Sequence, residues 1–214
     1  VDGYASPHGF AMKPSHAKML QNADLIFWVG EDLESFLEKP LESIAKKAEK
    51  IELMGIKDLN VLKFRERNIF DEHDDHDDHD GHAKKKKDGH DDHDDHDGHD
   101  DHEGHAHGEY DPHIWLDPIN AKVILKEMTE HLIENDSKKA STYKSNLDKA
   151  LKDIDKLTMD VMTELNQSVA SIVFHDAYQY FEKRFNVNIL GAFTVNTDVM
   201  PGAEQLAEIR EIIE

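Results

Sequence analysis

Sixteen histidines and no cysteine define the metal chemistry open to this chain. Without a thiolate, any transition metal must be held by imidazole nitrogen and carboxylate oxygen. Eleven of the histidines crowd into one tract: His73, His76, His79, His82, His90, His93, His96, His99, His102, His105 and His107, many of them in His-Asp-Asp units. Each unit offers one imidazole and two carboxylates, so the tract can assemble many weak, interchangeable cation sites, and its negative field concentrates cations locally. Three further histidines stand in different surroundings. His8 lies in the turn-rich Ala5-Ser6-Pro7-His8-Gly9-Phe10. His113 lies in Asp111-Pro112-His113-Ile114-Trp115-Leu116-Asp117-Pro118, a rigid loop before a helix, and His175 lies where a strand hands over to a helix. In open α/β sheets ligands bind beyond the carboxyl ends of strands, where such loops converge, which makes these three candidates for a shared site. A His₃ set completed by one oxygen satisfies tetrahedral zinc. Taken singly, each reads more simply as an ordinary hydrogen-bonded loop or core residue, and spacing alone does not join them. His16 and His131 fall inside helical patterns without a motif and are expected on the surface. Tyr178 and Tyr180 are expected to pack rather than to ligate.

The elements that would position these groups follow from periodicity. A helix begins at Pro14, and Leu25-Ile26-Phe27-Trp28-Val29 reads as a buried strand ended by Gly30. Leu33 to Ala48 has helical period, and Ile51-Glu52-Leu53 reads as a short strand. Asp117-Pro118 supplies an N-cap and an N1 proline for a helix whose Ala121, Ile124, Leu125, Met128 and Leu132 share one face. From Ser137 to about Gln167 there is neither Pro nor Gly, and Tyr143, Leu147, Ala150, Ile154, Leu157, Val161 and Leu165 recur at near-heptad spacing. This predicts one helix of roughly 45 Å, either a bundle helix or a spine between two lobes. Ser171-Ile172-Val173-Phe174 reads as a strand leading into His175-Asp176, with Asp176 capping the next helix. Strands alternating with helices on both sides favour the spine and an α/β class. The expected organisation is an N-terminal α/β lobe over 1–136 with a disordered His/Asp-rich insert at 71–107, a connecting helix at 137–167, and a partial C-terminal α/β lobe at 168–214.

Charge narrows the partners. Of the net −21, −12 sits between Asp71 and His107, where sixteen acidic residues face four lysines. So acidic a chain repels phosphate backbones and anionic headgroups, which excludes nucleic acid and leaves cations as natural partners. The insert has no apolar residue larger than Ala and cannot offset its ordering entropy without metal. No apolar run is long enough to span a membrane. The sequence opens without a Met or a signal peptide and closes inside a helical pattern, so we read it as a fragment.

Three ordered motifs carry a family resemblance: Ser6-Pro7-His8 with Lys13-Pro14-Ser15 and Gln21-Asn22-Ala23-Asp24-Leu25; Pro112-His113-Ile114-Trp115-Leu116-Asp117-Pro118; and Phe174-His175-Asp176-Ala177-Tyr178-Gln179-Tyr180-Phe181. With the acidic His-rich insert between the first two, the chain resembles the ZnuA family, periplasmic zinc-binding proteins of high-affinity zinc ABC transporters. The resemblance implies two (β/α) lobes joined by a long rigid helix, with Zn²⁺ in the interlobe cleft on His8 and His113 from the first lobe and His175 from the second. It implies a periplasmic, monomeric, non-enzymatic carrier whose partner is a membrane permease and whose ligand is the transported zinc. Pro7 stands where some relatives have a carboxylate, and others take one from later in the second lobe. The fourth ligand is therefore unassigned among water, a carboxylate beyond this chain and a loop histidine.

The manganese branch of this superfamily resembles the same scaffold with Glu in place of His175, and three imidazoles favour later metals than Mn²⁺. A Mn²⁺ or Ni²⁺ carrier is the nearest alternative. A free-standing His-rich buffer is a second class, and a zinc hydrolase with an open His₃ site is a third, weakened by the lack of an evident general base.

Overall fold

The computed structural model describes residue 8, residues 10–65, 109–194 and 202–213. The His/Asp-rich insert expected at 71–107, with its eleven histidines, lies outside the described residues.

The first half is built on two parallel strands. Helix α1 (Pro14–Asn22) leads into β1 (Leu25–Trp28), and β2 (Glu49–Glu52) pairs with β1 in register Leu25↔Glu49 to Trp28↔Glu52. The strand expected at 51–53 thus starts two residues earlier. The helix expected from Leu33 to Ala48 is broken into α2 (Glu31–Glu34), a 3₁₀ turn (Ser35–Leu37) and α3 (Glu38–Ser43). Pro40 explains the break: it lacks an N–H, and its ring would clash with the Phe36 carbonyl of a continuous helix. Between β1 and α2, Gly30 has φ 149°, and a Cβ there would stand 2.8 Å from Glu52 Oε1. Only glycine fits this turn. Leu41, Ala45 and Ala48 are buried against Leu20, Ala23, Ile26, Trp28 and Leu37.

A 3₁₀ turn (Ile114–Leu116) opens the second stretch and runs into α4 (Pro118–Asn135). The expected cap is present: Asp117 Oδ1 accepts from Ile119 N at 2.9 Å, with Pro118 at the first helical position. After a 3₁₀ turn (Ser137–Lys139), α5 runs from Ala140 to Glu164. Its 25 residues rise about 37 Å, shorter than expected because both ends leave α geometry. No residue of α5 is fully buried, and Leu157, counted in its apolar stripe, is 60% exposed.

Beyond α5, β3 (Ser171–His175) and β4 (Ile189–Thr194) form a second parallel pair, linked by α6 (Gln179–Phe185). Asn186 ends α6 in the left-handed conformation at φ 52°, which a short polar side chain tolerates. Helix α7 (Ala203–Ile213) follows, with Ile209 buried. The architecture is α/β, two parallel strand pairs joined in sequence by α4 and the long α5. A second core ties the halves together: Tyr180 of α6 packs with Ile114 and Ile124, backed by Leu53, Met54, Ile56, Leu59, Leu62, Leu116 and Met128. Among the described residues no helix is long and apolar enough to cross a membrane.

Candidate metal centre

Three segments far apart in sequence bring His8, His113 and His175 together. His8 sits in the turn before α1, His113 caps the Ile114–Leu116 turn, and His175 is the last residue of β3. Their ring centroids are 5.4 Å apart for His8–His113 and 5.2 Å for each of the other two pairs. One nitrogen from each lies within 4.8 Å of the others. Zn–N bonds of about 2.0–2.1 Å place tetrahedral nitrogens ~3.4 Å apart, so side-chain rotation closes the gap.

His113 is the most firmly held of the three. Its Nδ1 is 2.6 Å from Asp111 Oδ1, and the same oxygen accepts from His113 N at 2.9 Å. Asp111 is fully buried, and its other oxygen accepts from Gln179 Nε2 at 2.8 Å. A carboxylate on Nδ1 fixes the ring and leaves Nε2 as the basic nitrogen, the arrangement that commonly supports a metal-bound imidazole. Gln179 Nε2 also donates to Lys63 O at 2.9 Å. Beside it, Tyr180 Oη accepts from Leu62 N at 3.0 Å and donates to Asp111 O at 2.7 Å, and burial pushes its pKa up to about 12.

His175 is a poor base where it stands. Burial lowers its pKa below the ordinary 6.5, His113 adds to the effect, and the Thr194 backbone and Asp111 partly oppose it. A neutral imidazole is the form that ligates, so desolvation keeps this ring ready for a cation other than a proton.

The neighbouring charges are already engaged. Asp176, expected as a helix cap, is not one; Tyr178 is the N-cap of α6. Asp176 instead accepts from Arg65 Nη1 at 3.0 Å, and Arg65 also pairs with Glu182. Burial raises the Asp176 pKa to about 6 although Arg65 opposes it. Arg184 binds both oxygens of Asp117, at 2.8 and 2.6 Å. Tyr178 is 44% exposed rather than packed, whereas Tyr180 is buried as expected. His16 is half-buried, with Nδ1 3.2 Å from the Lys13 N–H it accepts, and His131, expected on the surface, is only 21% exposed. The sequence reading missed Asp111 and Gln179 as positioning groups. The Asp-Pro-His spacing was the available signal for Asp111, and nothing local marked Gln179.

The model of the family described as "Zinc-uptake complex component A periplasmic" matches residues 1–214. The chain belongs to the ZnuA family. It is 45% identical over 217 residues to the high-affinity zinc uptake system protein ZnuA of Brucella abortus, covering all of this chain and 65% of that protein. Over 209 residues it is 43% identical to the ZnuA of Paracoccus denitrificans, covering 97% of this chain and 62% of the relative. The chain thus spans about two thirds or slightly less of the relatives it matches. A crystal structure of ZnuA matches with TM-score 0.70 at 20% identity, over 99% of this chain and 66% of that one. The Zn(II)-bound AdcAII E280Q variant of Streptococcus pneumoniae matches with TM-score 0.66 at 22% identity, over 100% and 67%. These structures establish the ZnuA-like fold.

Proposed function

We propose that this ZnuA-family chain carries the metal site of a high-affinity zinc solute-binding protein, which captures Zn²⁺ on His8, His113 and His175 and delivers it to an ABC permease. The observation that carries the reading is the meeting of three imidazoles from three separate segments, one of them braced by a buried carboxylate. The names of the relatives in Brucella abortus and Paracoccus denitrificans point to the same cargo. In this reading residues 1–136 and 168–214 belong to two lobes flanking the metal, 137–167 connects them, and the insert at 71–107 is an auxiliary collector. The protein acts in the periplasm as a monomer.

The reading is non-enzymatic. Asp111 is committed to His113 and Gln179, and Asp176 to Arg65, so neither carboxylate stands ready as a general base. Capture and release of the ion are the whole of the chemistry.

Competition against a chelator, with calorimetry to count sites, tests this on the full chain. One tight zinc equivalent survives deletion of 71–107 and is lost in His113→Ala and in His175→Ala. Loss of all tight binding on removing the insert would overturn the cleft assignment in favour of a buffer. Preference for Mn²⁺ in the same competition would overturn the cargo.

A further inference from the structure

A second group of ligands lies away from the triad, where α4 meets the start of β2. His131 Nδ1 is 3.0 Å from Glu49 Oε1 and 3.9 Å from Glu134 Oε2, while Glu127 Oε1 is 3.5 Å from Nε2. Glu127 and Glu134 stand four residues before and three after His131, so α4 presents all three on one face. Glu49, the first residue of β2, meets them from the sheet. The Phe27 ring, at 6.2 Å and 70°, backs the imidazole edge-on.

The arrangement leaves a deficit of positive charge at one point. Nδ1 is buried without a hydrogen-bond partner, although two carboxylates approach it. Glu127 beside Nε2 favours the ring proton there, and Nδ1 is then an acceptor facing acceptors. A cation in its midst, whether a proton or a metal ion, would offset the carboxylates. A proton on Nδ1 calls for an aligned N–H···O bond to Glu49, which the 3.0 Å approach does not make. A shared metal calls instead for donor atoms separated by ~3.3 Å around bonds of about 2.0–2.2 Å, and the two Nδ1–carboxylate distances bracket that value.

We propose that His131, Glu49 and Glu134 form a second divalent-cation site of the zinc class, with water completing the shell and Glu127 as the residue that positions the ring. One imidazole among carboxylates suits Zn²⁺ or its late-transition-metal neighbours rather than Mg²⁺ or Ca²⁺, which take all-oxygen shells. Both carboxylate ligands are more than half exposed. The site therefore fills after the triad and exchanges faster. A cation there ties β2 to α4.

Because the insert and the triad also bind metal, the readout must be specific to one residue. Imidazole resonances of the full chain are followed by NMR during addition of Zn²⁺ alone, with His131 assigned by its absence in His131→Gln. The expected result is a saturable shift of the His131 signals after the tight equivalent is filled, absent with Mg²⁺. In Glu49→Gln/Glu134→Gln the shift is lost, and in Glu127→Gln its midpoint moves up by about tenfold. Unchanged triad resonances show that each variant is folded. His131 signals that titrate with pH but ignore Zn²⁺ would overturn the proposal and give the position to a proton. A zinc shift that persists in the double Glu variant would overturn the ligand assignment.

Discussion

Asp111→Asn is the sharpest test of how the centre is held. The amide is isosteric with the carboxylate and can keep one oxygen toward His113, but it removes the charge opposite Nδ1 at 2.6 Å. A hydrogen bond to a charged group contributes about 1.5–3 kcal/mol and a neutral one about 0.5–1.5, so the bond supporting the metal-bound ring weakens by about 1–1.5 kcal/mol. That is about tenfold in zinc affinity. The other half of the amide faces Gln179 Nε2, which now donates to Asp111 Oδ2 at 2.8 Å. Two N–H groups cannot meet there, and turning the Gln179 amide around gives up its bond to Lys63 O. Losing one hydrogen bond in this way costs about 0.5–1.5 kcal/mol of fold stability, with or without metal. Chelator competition on the tight equivalent and urea unfolding of the metal-free protein measure the two effects separately. The reasoning is refuted if stability falls while affinity stays within about twofold, because Asp111 would then be purely architectural.

Replacing Arg65 by Met leaves Asp176 and Glu182 buried without their cation, and urea unfolding is expected to show a loss of about 3 kcal/mol, the low end for a broken buried pair because Arg65 is partly exposed. Tyr180→Phe orphans the Leu62 N–H and should cost about 1–3 kcal/mol by the same measurement. The pH dependence of the metal-free protein contains two opposing contributions. His175 has a lowered folded pKa, so the unfolded chain takes the proton first and stability falls as pH drops through 6.5. Asp176 is raised from 3.8 to about 6, so the folded state holds the extra proton and stability rises as pH falls across that interval. Denaturation midpoints against pH should lose this acid-side gain in Asp176→Asn and keep the decline near 6.5.

The parts legible in sequence were those written in local chemistry. Asp117-Pro118 announced the start of α4, the absence of Pro and Gly announced α5, and β3 was visible as three apolar residues ending at a histidine. The triad was legible through its motifs, since nothing in the spacing of His8, His113 and His175 says that they meet. What stayed hidden was pairing across long separations. Arg65 reaches Asp176 across 111 positions and Arg184 reaches Asp117 across 67, and a charged residue does not reveal its partner from its neighbours. Asp176 illustrates the error: its place before a helix suggested a cap, but burial beside Arg65 gave the carboxylate a stronger partner than a helix N–H. Pro40 was visible and underweighted, because helical period continued through it.

The antiparallel bridge Lys63↔Tyr110 closes the chain on itself, with Phe64 N bonded to Glu109 O and Asp111 N to Leu62 O. The two ends of the intervening sequence are therefore held side by side. For a flexible segment joining two such ends, each doubling of length costs only about 0.6 kcal/mol of closure entropy. On that scale, adding or removing a few histidine repeats is expected to change the stability of the body by less than about 1 kcal/mol. Repeat number and body stability are thus only weakly coupled.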